Sequence, residues 1–185
     1  MNELVSIGLP VYNGGKFLKN ILDNLINQTY KNIEIIISNN CSTDDTDIIC
    51  KSYKYDKRIK YYKQNKIIPM LSNFYFVLDK SSGSFFCWVA ADDTRSLNFI
   101  EKNLVFLKNN HDYVGSISSC KYLNKKANSN KMGDAPINHN KFSQRLSYLL
   151  STTNANLRFY SLFRANMLKQ YNFKHLIFFG DDLLI

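Results

Sequence analysis

Short apolar runs alternate with segments of helical periodicity over the first 120 residues of the chain. A short apolar run that ends in turn-forming residues is typical of a buried strand. Strands are predicted on this basis over residues 4–9, 33–38, 59–63 and 85–89, and a fifth over 113–122.

The segments between these strands carry apolar residues at intervals of three and four, which predicts amphipathic helices. Helices are predicted over residues 16–28, 44–55 and 70–78, and another follows Ser96. We expect Ser42 or Thr43 to cap the second helix and Ser96 the fourth, because such hydroxyls accept from free N–H groups of a first turn. Alternating strands and helices predict the α/β class, with a mostly parallel central sheet and helices on both faces.

The remainder of the chain is patterned less regularly. Residues 124–140 are polar and contain Gly133 and Pro136, which predicts a long loop. Beyond it we expect helices over 142–150 and 165–171 and strands over 158–163 and 177–179.

The composition is that of a globular protein, with 45% hydrophobic and 21% charged residues. No apolar run reaches about 18 residues, so no membrane-spanning helix is expected. The N-terminal residues lack a basic region followed by an apolar stretch, so no signal peptide is expected. The four cysteines show no metal-binding or redox spacing, which indicates reduced thiols in a cytoplasmic protein.

The chain is basic, with 24 Lys and Arg against 15 Asp and Glu, a net charge of +9. A basic protein can bind nucleic acid, an anionic membrane surface or phosphate groups. The lysines are spread along the chain, and a coding bias that also enriches Asn, Ile and Tyr is the favoured explanation of the excess. We expect no nucleic-acid partner, and leave open contact with the inner face of a membrane.

Polar and aromatic side chains follow three of the predicted strands. In open α/β sheets, ligands bind outside the carboxyl ends of the strands, so these residues are expected to converge. An aromatic ring can stack on a base, amides can read its edge, and carboxylates can hold Mg²⁺ or Mn²⁺ beside a diphosphate. The residues concerned are Pro10, Tyr12 and Asn13 after the first strand, Asn39 and Asn40 after the second, and Asp92 and Asp93 after the fourth.

Each of these signals also has a purely structural interpretation. An Asp-Asp pair after a strand is more often a turn or a helix cap than a metal site. Tyr12 can be a packing residue, and Asn39 and Asn40 can be turn residues, because Asn tolerates a left-handed backbone. Their joint placement at three strand ends is what favours a binding site.

The order of these segments resembles that of the family 2 glycosyltransferases of the GT-A fold, which are inverting enzymes that use nucleotide sugars. The resemblance covers nearly the whole chain. The segments that carry it are VSIGLPVYNGGKFL (5–18), NQTYKNIEIIISNNCSTDDT (27–46), RIKYY (58–62), Asn73, GSFFCWVAADD (83–93) and FYSLFRANML (159–168).

The resemblance implies roles for individual residues at the strand ends. Pro10 and Tyr12 match positions that line the base pocket. Asn39 and Asn40 stand where the family usually has one or two aspartates, one of which reads the uracil ring. Asp92 and Asp93 match the acidic motif that binds metal and ribose, although this chain lacks the further aspartate that many relatives have at Ala90 or Ala91.

The resemblance also implies a catalytic base near the end of the chain. Gly180 to Ile185 resembles the later acidic motif of the family, with Asp181 or Asp182 as the base; a surface turn is the alternative. Residues 1–123 then form the donor-binding half of a Rossmann-like fold, and 124–185 begin the acceptor and catalytic-base region, which is expected to be truncated.

The expected reaction is inverting, metal-assisted transfer of a sugar from a nucleotide donor, with a UDP-sugar favoured. The acceptor hydroxyl belongs to a glycan or a lipid-linked molecule, and Mn²⁺ or Mg²⁺ is the cofactor. The alternatives are a weak or inactive donor-binding relative and a nucleotidyltransferase. A dinucleotide-dependent enzyme is disfavoured, because residues 10–15 do not supply GxGxxG.

Overall fold

The strands form one sheet in the computed structural model, which describes residues 3–118, 141, 144 and 159–170. Within that part of the chain the strand order is β3-β2-β1-β4-β6-β5. The strands are β1 (Val5–Val11), β2 (Ile33–Asn39), β3 (Ile59–Lys63), β4 (Phe85–Trp88), β5 (Gly115–Ser116) and β6 (Leu162–Arg164).

The first four strands of the chain are parallel. β1 pairs with β2 on one side and β4 on the other, and β3 pairs with β2. β6 runs antiparallel between β4 and β5. The expected mostly parallel sheet is therefore confirmed, with one reversed strand inserted near its edge.

Helices cover both faces of the sheet, as expected. They are α1 (Gly15–Ile26), α2 (Thr46–Ser52), α3 (Met70–Asp79), α4 (Phe99–Asn109) and α5 (Ala165–Gln170). The apolar residues of α1, α2 and α4 pack on one face, and those of α3 and α5 on the other. Successive strand residues point to opposite faces, so Ile35 and Ile37 enter the first core while Ile36 enters the second. A sheet covered on both faces explains the nearly all-apolar β2.

Several local predictions need correction. α2 begins at Thr46 and α4 at Phe99, and neither helix has a side-chain cap. The expected caps Ser42, Thr43 and Ser96 precede the helix starts by three or four residues; the first two bind the loop after β1 instead.

The fifth strand is also much shorter in the described residues than predicted, because only two residues of β5 pair with β6. The strand expected over 158–163 is observed three residues long at its later end, as β6. The elements predicted over 124–140, 142–150 and 177–179 fall outside the described residues, except position 144.

Candidate functional site

The carboxyl ends of β1, β2 and β4 lie side by side at one edge of the sheet. Val11 and Asn39, the last residues of β1 and β2, are partners in the ladder. The N–H of Asn40 then donates to the carbonyl of Val11 at 2.8 Å, and that of Val89 to the carbonyl of Gly8 at 2.9 Å. We call the residues that follow these strand ends (12–14, 40–45 and 89–95) the carboxyl rim.

Hydrogen bonds join the loops after β1 and β2 into one unit. The backbone N–H of Asn13 donates to the Ser42 hydroxyl, and the backbone N–H of Thr43 donates to the Asn13 side chain, both at 2.9 Å. The N–H of Gly14 donates to the Thr46 hydroxyl at 3.0 Å. Asn13 has a φ of 49°, a left-handed conformation that Asn adopts more readily than most residues. Asn13 is thus fixed by contacts across the rim.

Gly14 brings the loop after β4 against this unit. A Cβ atom on Gly14 would lie 3.3 Å from the Cβ of Ala91 and 2.5 Å from a methyl carbon of Val11. The absence of a side chain therefore allows the first and third loops to approach closely. Tyr12, Asn39 and Asp92 consequently share one edge of the sheet rather than facing different sides of the molecule.

The two residues expected at the base pocket after β1 differ in exposure. Tyr12 is 51% exposed, so it is a surface residue of the rim rather than a core residue. Pro10 lies inside β1 opposite Ser38 and is buried. The strand thus extends past the proline at which the sequence suggested that it ends.

The side-chain amides of Asn39 and Asn40 are bonded within the protein. Asn39 donates to the Tyr61 hydroxyl at 3.0 Å and accepts from the backbone N–H of Ser42 at 2.9 Å. Asn40 donates to the carbonyl of Ile68 and accepts from its N–H, both at 2.9 Å. Both residues are buried, and each retains one N–H and one lone pair for further bonding. Their observed contacts hold the loops after β2 and β3.

Asp92 and Asp93 form an exposed acidic pair on the third loop of the rim. Partial burial of the Asp93 carboxyl group and the charge of Asp92 raise its pKa, and the nearby Arg95 opposes this. A divalent cation would relieve the repulsion between the two carboxylates. Mg²⁺ is commonly held by one or two carboxylates together with substrate phosphates and water, so this donor set fits such an ion.

No third acidic, histidine or cysteine side chain joins the pair to form a metal-binding group within the part of the chain that the structure describes. Phosphate oxygens and water commonly complete the coordination of such an ion.

Two further residues near the acidic pair were not identified from the sequence. Arg95 donates to the carbonyl of Trp88 at 2.7 Å, and its guanidinium lies 4.2 Å from the centre of the Phe99 ring. Tyr160 precedes β6; burial raises the pKa of its hydroxyl, as do Asp93 and Asp92. Tyr160 falls within a segment that carries the family resemblance, but only the position of β6 beside β4 places it near the acidic pair.

The expected catalytic residues Asp181 and Asp182 lie outside the described residues. In the described part of the chain, the helices are all too short or too polar to cross a membrane.

The sequence model of glycosyl transferase family 2 matches residues 6–171. The chain belongs to this family. It is 38% identical over 121 residues to an uncharacterized glycosyltransferase of Rickettsia typhi, covering 65% of this chain and 37% of that protein. It is 26% identical over 189 residues to an uncharacterized glycosyltransferase of Haemophilus influenzae, covering 97% of this chain and 56% of the relative. The chain thus spans only part of each relative.

Solved structures share the fold of this family member. Staphylococcus aureus TarS (residues 1–349) in complex with UDP-GlcNAc superposes with a TM-score of 0.68 at 19% identity. The mannosyltransferase PcManGT of Pyrobaculum calidifontis, in complex with GDP-Man and Mn²⁺, gives 0.64 at 15% identity. Each match covers 90% of this chain and 46% of the other. The expected GT-A fold is confirmed.

Proposed function

We propose that this family member binds a nucleoside-diphosphate sugar at the carboxyl rim and transfers the sugar, with inversion, to an acceptor hydroxyl. The observation that carries the proposal is the placement of an accessible aromatic ring, Tyr12, and an acidic pair, Asp92 and Asp93, on adjoining strand ends. Family membership favours sugar transfer over nucleotidyl transfer.

The nucleoside would occupy the part of the rim formed by the loops after β1 and β2. The exposed Tyr12 offers a ring on which a base can stack, and Pro10 and Asn13 are proposed to complete this part of the pocket. Asn39 and Asn40 would shape the base pocket by holding the surrounding loops in place, since both side chains are buried and bonded within the protein. UDP is the first candidate nucleotide, but TarS and PcManGT, which share the fold, bind uridine and guanosine donors respectively.

The diphosphate would lie toward the acidic pair. Asp92 and Asp93 would hold Mn²⁺ or Mg²⁺, and the bound ion would neutralise the charge that develops on the departing diphosphate. Arg95 lies close enough to lower the pKa of Asp93 and so helps to keep its carboxylate ionised at neutral pH. PcManGT was solved with Mn²⁺ and its nucleotide sugar, which supports this assignment.

In the proposed reaction, the acceptor oxygen attacks the anomeric carbon as the bond from that carbon to the β-phosphate oxygen breaks. The acceptor proton passes to a general base, for which Asp181 or Asp182 stays our prediction, and a nucleoside diphosphate leaves. A glycan or a lipid-linked acceptor at the cytoplasmic face of a membrane is part of the proposal.

The direct test is to incubate the chain with Mn²⁺ and UDP-GlcNAc, UDP-glucose or GDP-mannose, and to measure binding and nucleoside diphosphate release. Saturable, Mn²⁺-dependent binding with release supports a transferase. Binding without release supports a donor-binding relative without transfer. If the chain bound none of these three donors, and neither UDP nor GDP, the proposed site would be contradicted.

A further inference from the structure

The segment that precedes β6 reaches the carboxyl rim because β6 runs antiparallel to β4. Phe85 and Phe86 of β4 pair with Arg164 and Phe163 of β6, respectively. Residues earlier than Ser161 must therefore extend past the carboxyl end of β4, where the acidic pair also lies. The stacking of Phe159 on Trp88, with ring centres 4.3 Å apart and planes 11° apart, places this segment there.

Tyr160 is held on this segment by aromatic packing. Its ring meets the Phe159 ring edge-on, with centres 5.2 Å apart. The residue is partly buried, and none of the residues in the described ranges forms a hydrogen bond with its hydroxyl. Burial raises the pKa of its hydroxyl, as do the charges of Asp93 and Asp92, whereas Arg95 opposes this; these influences agree with the place of the segment at the carboxyl end of β4.

We propose that Tyr160 is a donor-binding residue whose hydroxyl donates a hydrogen bond to a diphosphate oxygen of the bound nucleotide. This inference rests on the proposed function. A phenol is neutral at physiological pH, so its hydroxyl can donate. Phosphate oxygens that share a cation with Asp92 and Asp93 are the acceptors that would lie next to these carboxylates. The base would bind at Tyr12, on the loop after β1.

The proposal predicts which ligands respond to loss of the hydroxyl. UDP and GDP share the diphosphate, so both should lose affinity to the same extent in Tyr160→Phe. Uridine lacks the phosphates, so its affinity should be unaffected. A hydrogen bond to a charged group supports a loss of about tenfold. A purely structural role for Tyr160 would not discriminate between these ligands.

The experiment compares the full chain with Tyr160→Phe and with Tyr55→Phe as the matched control. Tyr55 is 72% exposed and precedes β3, the outermost strand on the side of the sheet away from β6. Affinities for UDP and GDP are measured by calorimetry with Mn²⁺, and that for uridine by NMR titration. We expect about a tenfold loss for both diphosphates in Tyr160→Phe, with uridine affinity and melting temperature unchanged, and no change in Tyr55→Phe.

Equal affinity of Tyr160→Phe and the unaltered chain for UDP and GDP would overturn this inference alone. An equal loss for uridine would also overturn it, because the variant would then have disturbed the whole site. If the unaltered chain bound neither UDP nor GDP with Mn²⁺, the proposed function would fail and this inference with it.

Discussion

The side chain of Asn39 donates a hydrogen bond to the hydroxyl of Tyr61, which in turn donates to the carboxylate of Asp47 at 2.6 Å. Because Asp47 can only accept, the direction of the Tyr61 hydroxyl and hence the orientation of the Asn39 amide are fixed. Lys51 and Lys63 also bind Asp47, and hydrogen bonds from Lys51 and then Tyr61 lower its pKa despite partial burial. The carboxyl rim is thus connected to a charged network between α2 and β3.

Tyr61→Phe should destabilise the protein by about 1–2 kcal/mol. The change removes the acceptor of the buried Asn39 N–H and one donor to Asp47, and an unsatisfied buried donor costs its full desolvation penalty. Urea unfolding of the variant and of the unaltered chain measures the difference in the free energy of unfolding.

Tyr62→Phe is the control for this prediction, since it removes a hydroxyl from the next residue of the same strand. The Tyr62 ring packs edge-on against Phe76 and keeps that contact in the variant. Tyr62→Phe should change the free energy of unfolding by no more than about 0.5 kcal/mol. Equal effects of the two variants would contradict a structural role for the Asn39–Tyr61 bond.

Asp92→Asn combined with Asp93→Asn should abolish the Mn²⁺ dependence of UDP or GDP binding without unfolding the domain. Both residues lie at the surface and their carboxylates repel one another, so their neutralisation removes the cation ligands and costs little stability. Calorimetry with and without Mn²⁺ measures the effect. Asp79→Asn, at the exposed end of α3 away from the rim, should bind as the unaltered chain does. Retention of full Mn²⁺-dependent affinity by the double variant would refute the metal assignment.

Tyr12→Ala should weaken nucleotide binding about tenfold or more, because stacking of a base on an aromatic ring contributes about 1–3 kcal/mol. The melting temperature should change little, since the residue is about half exposed. Tyr55→Ala removes the ring of a still more exposed residue, next to the outermost strand β3, and should leave nucleotide binding intact. A large fall in the melting temperature of Tyr12→Ala would instead make Tyr12 a packing residue.

Glu34 should make folding stability depend on pH in the acidic range. Burial opposes its ionisation, but hydrogen bonds from Lys60, Ser6 and Ser82 outweigh this and lower its pKa from 4.5 to about 2. Ionised Glu34 therefore stabilises the native state by about 3 kcal/mol above pH 4.5, and this contribution is lost as the pH falls from 4.5 toward 2.

Glu34→Gln isolates that contribution from those of other carboxylates. The variant should be less stable than the unaltered chain at pH 7, and the gap should narrow by about 1 kcal/mol or more at pH 3.5. Urea unfolding at the two pH values measures it, with Glu101→Gln, on the exposed side of α4, as the control. A gap that is independent of pH would show that the Glu34 carboxylate is not preferentially stabilised in the native state.

Much of the fold could be predicted from local sequence patterns. The all-apolar run at β2 and the helical spacing in α1 identify these elements because burial on two faces, or on one stripe, dictates the residue types directly. The parallel direction of β1 to β4 follows from the helices that connect them. Because parallel strands end on the same side of a sheet, their shared direction also places Tyr12 and Asp92 at one side.

Local patterns failed where a partner distant in the chain determines the structure. Ser42 and Thr43 bind the loop after β1 rather than capping α2, because Asn13 competes for their polar groups. The short β6 carries too few residues to show a period.

The sequence by itself determined the α/β class, the family and the residues at the strand ends, because these depend on periodicity and on the order of segments. Only the tertiary structure decided that Asn39 and Asn40 are bonded to Tyr61 and Ile68, and that the charge of Asp93 acts on Tyr160. Hydrogen bonds and charge interactions act over a few ångströms, and the residues that they join are separated by 22 to 67 positions, a distance in sequence that only the folded chain closes.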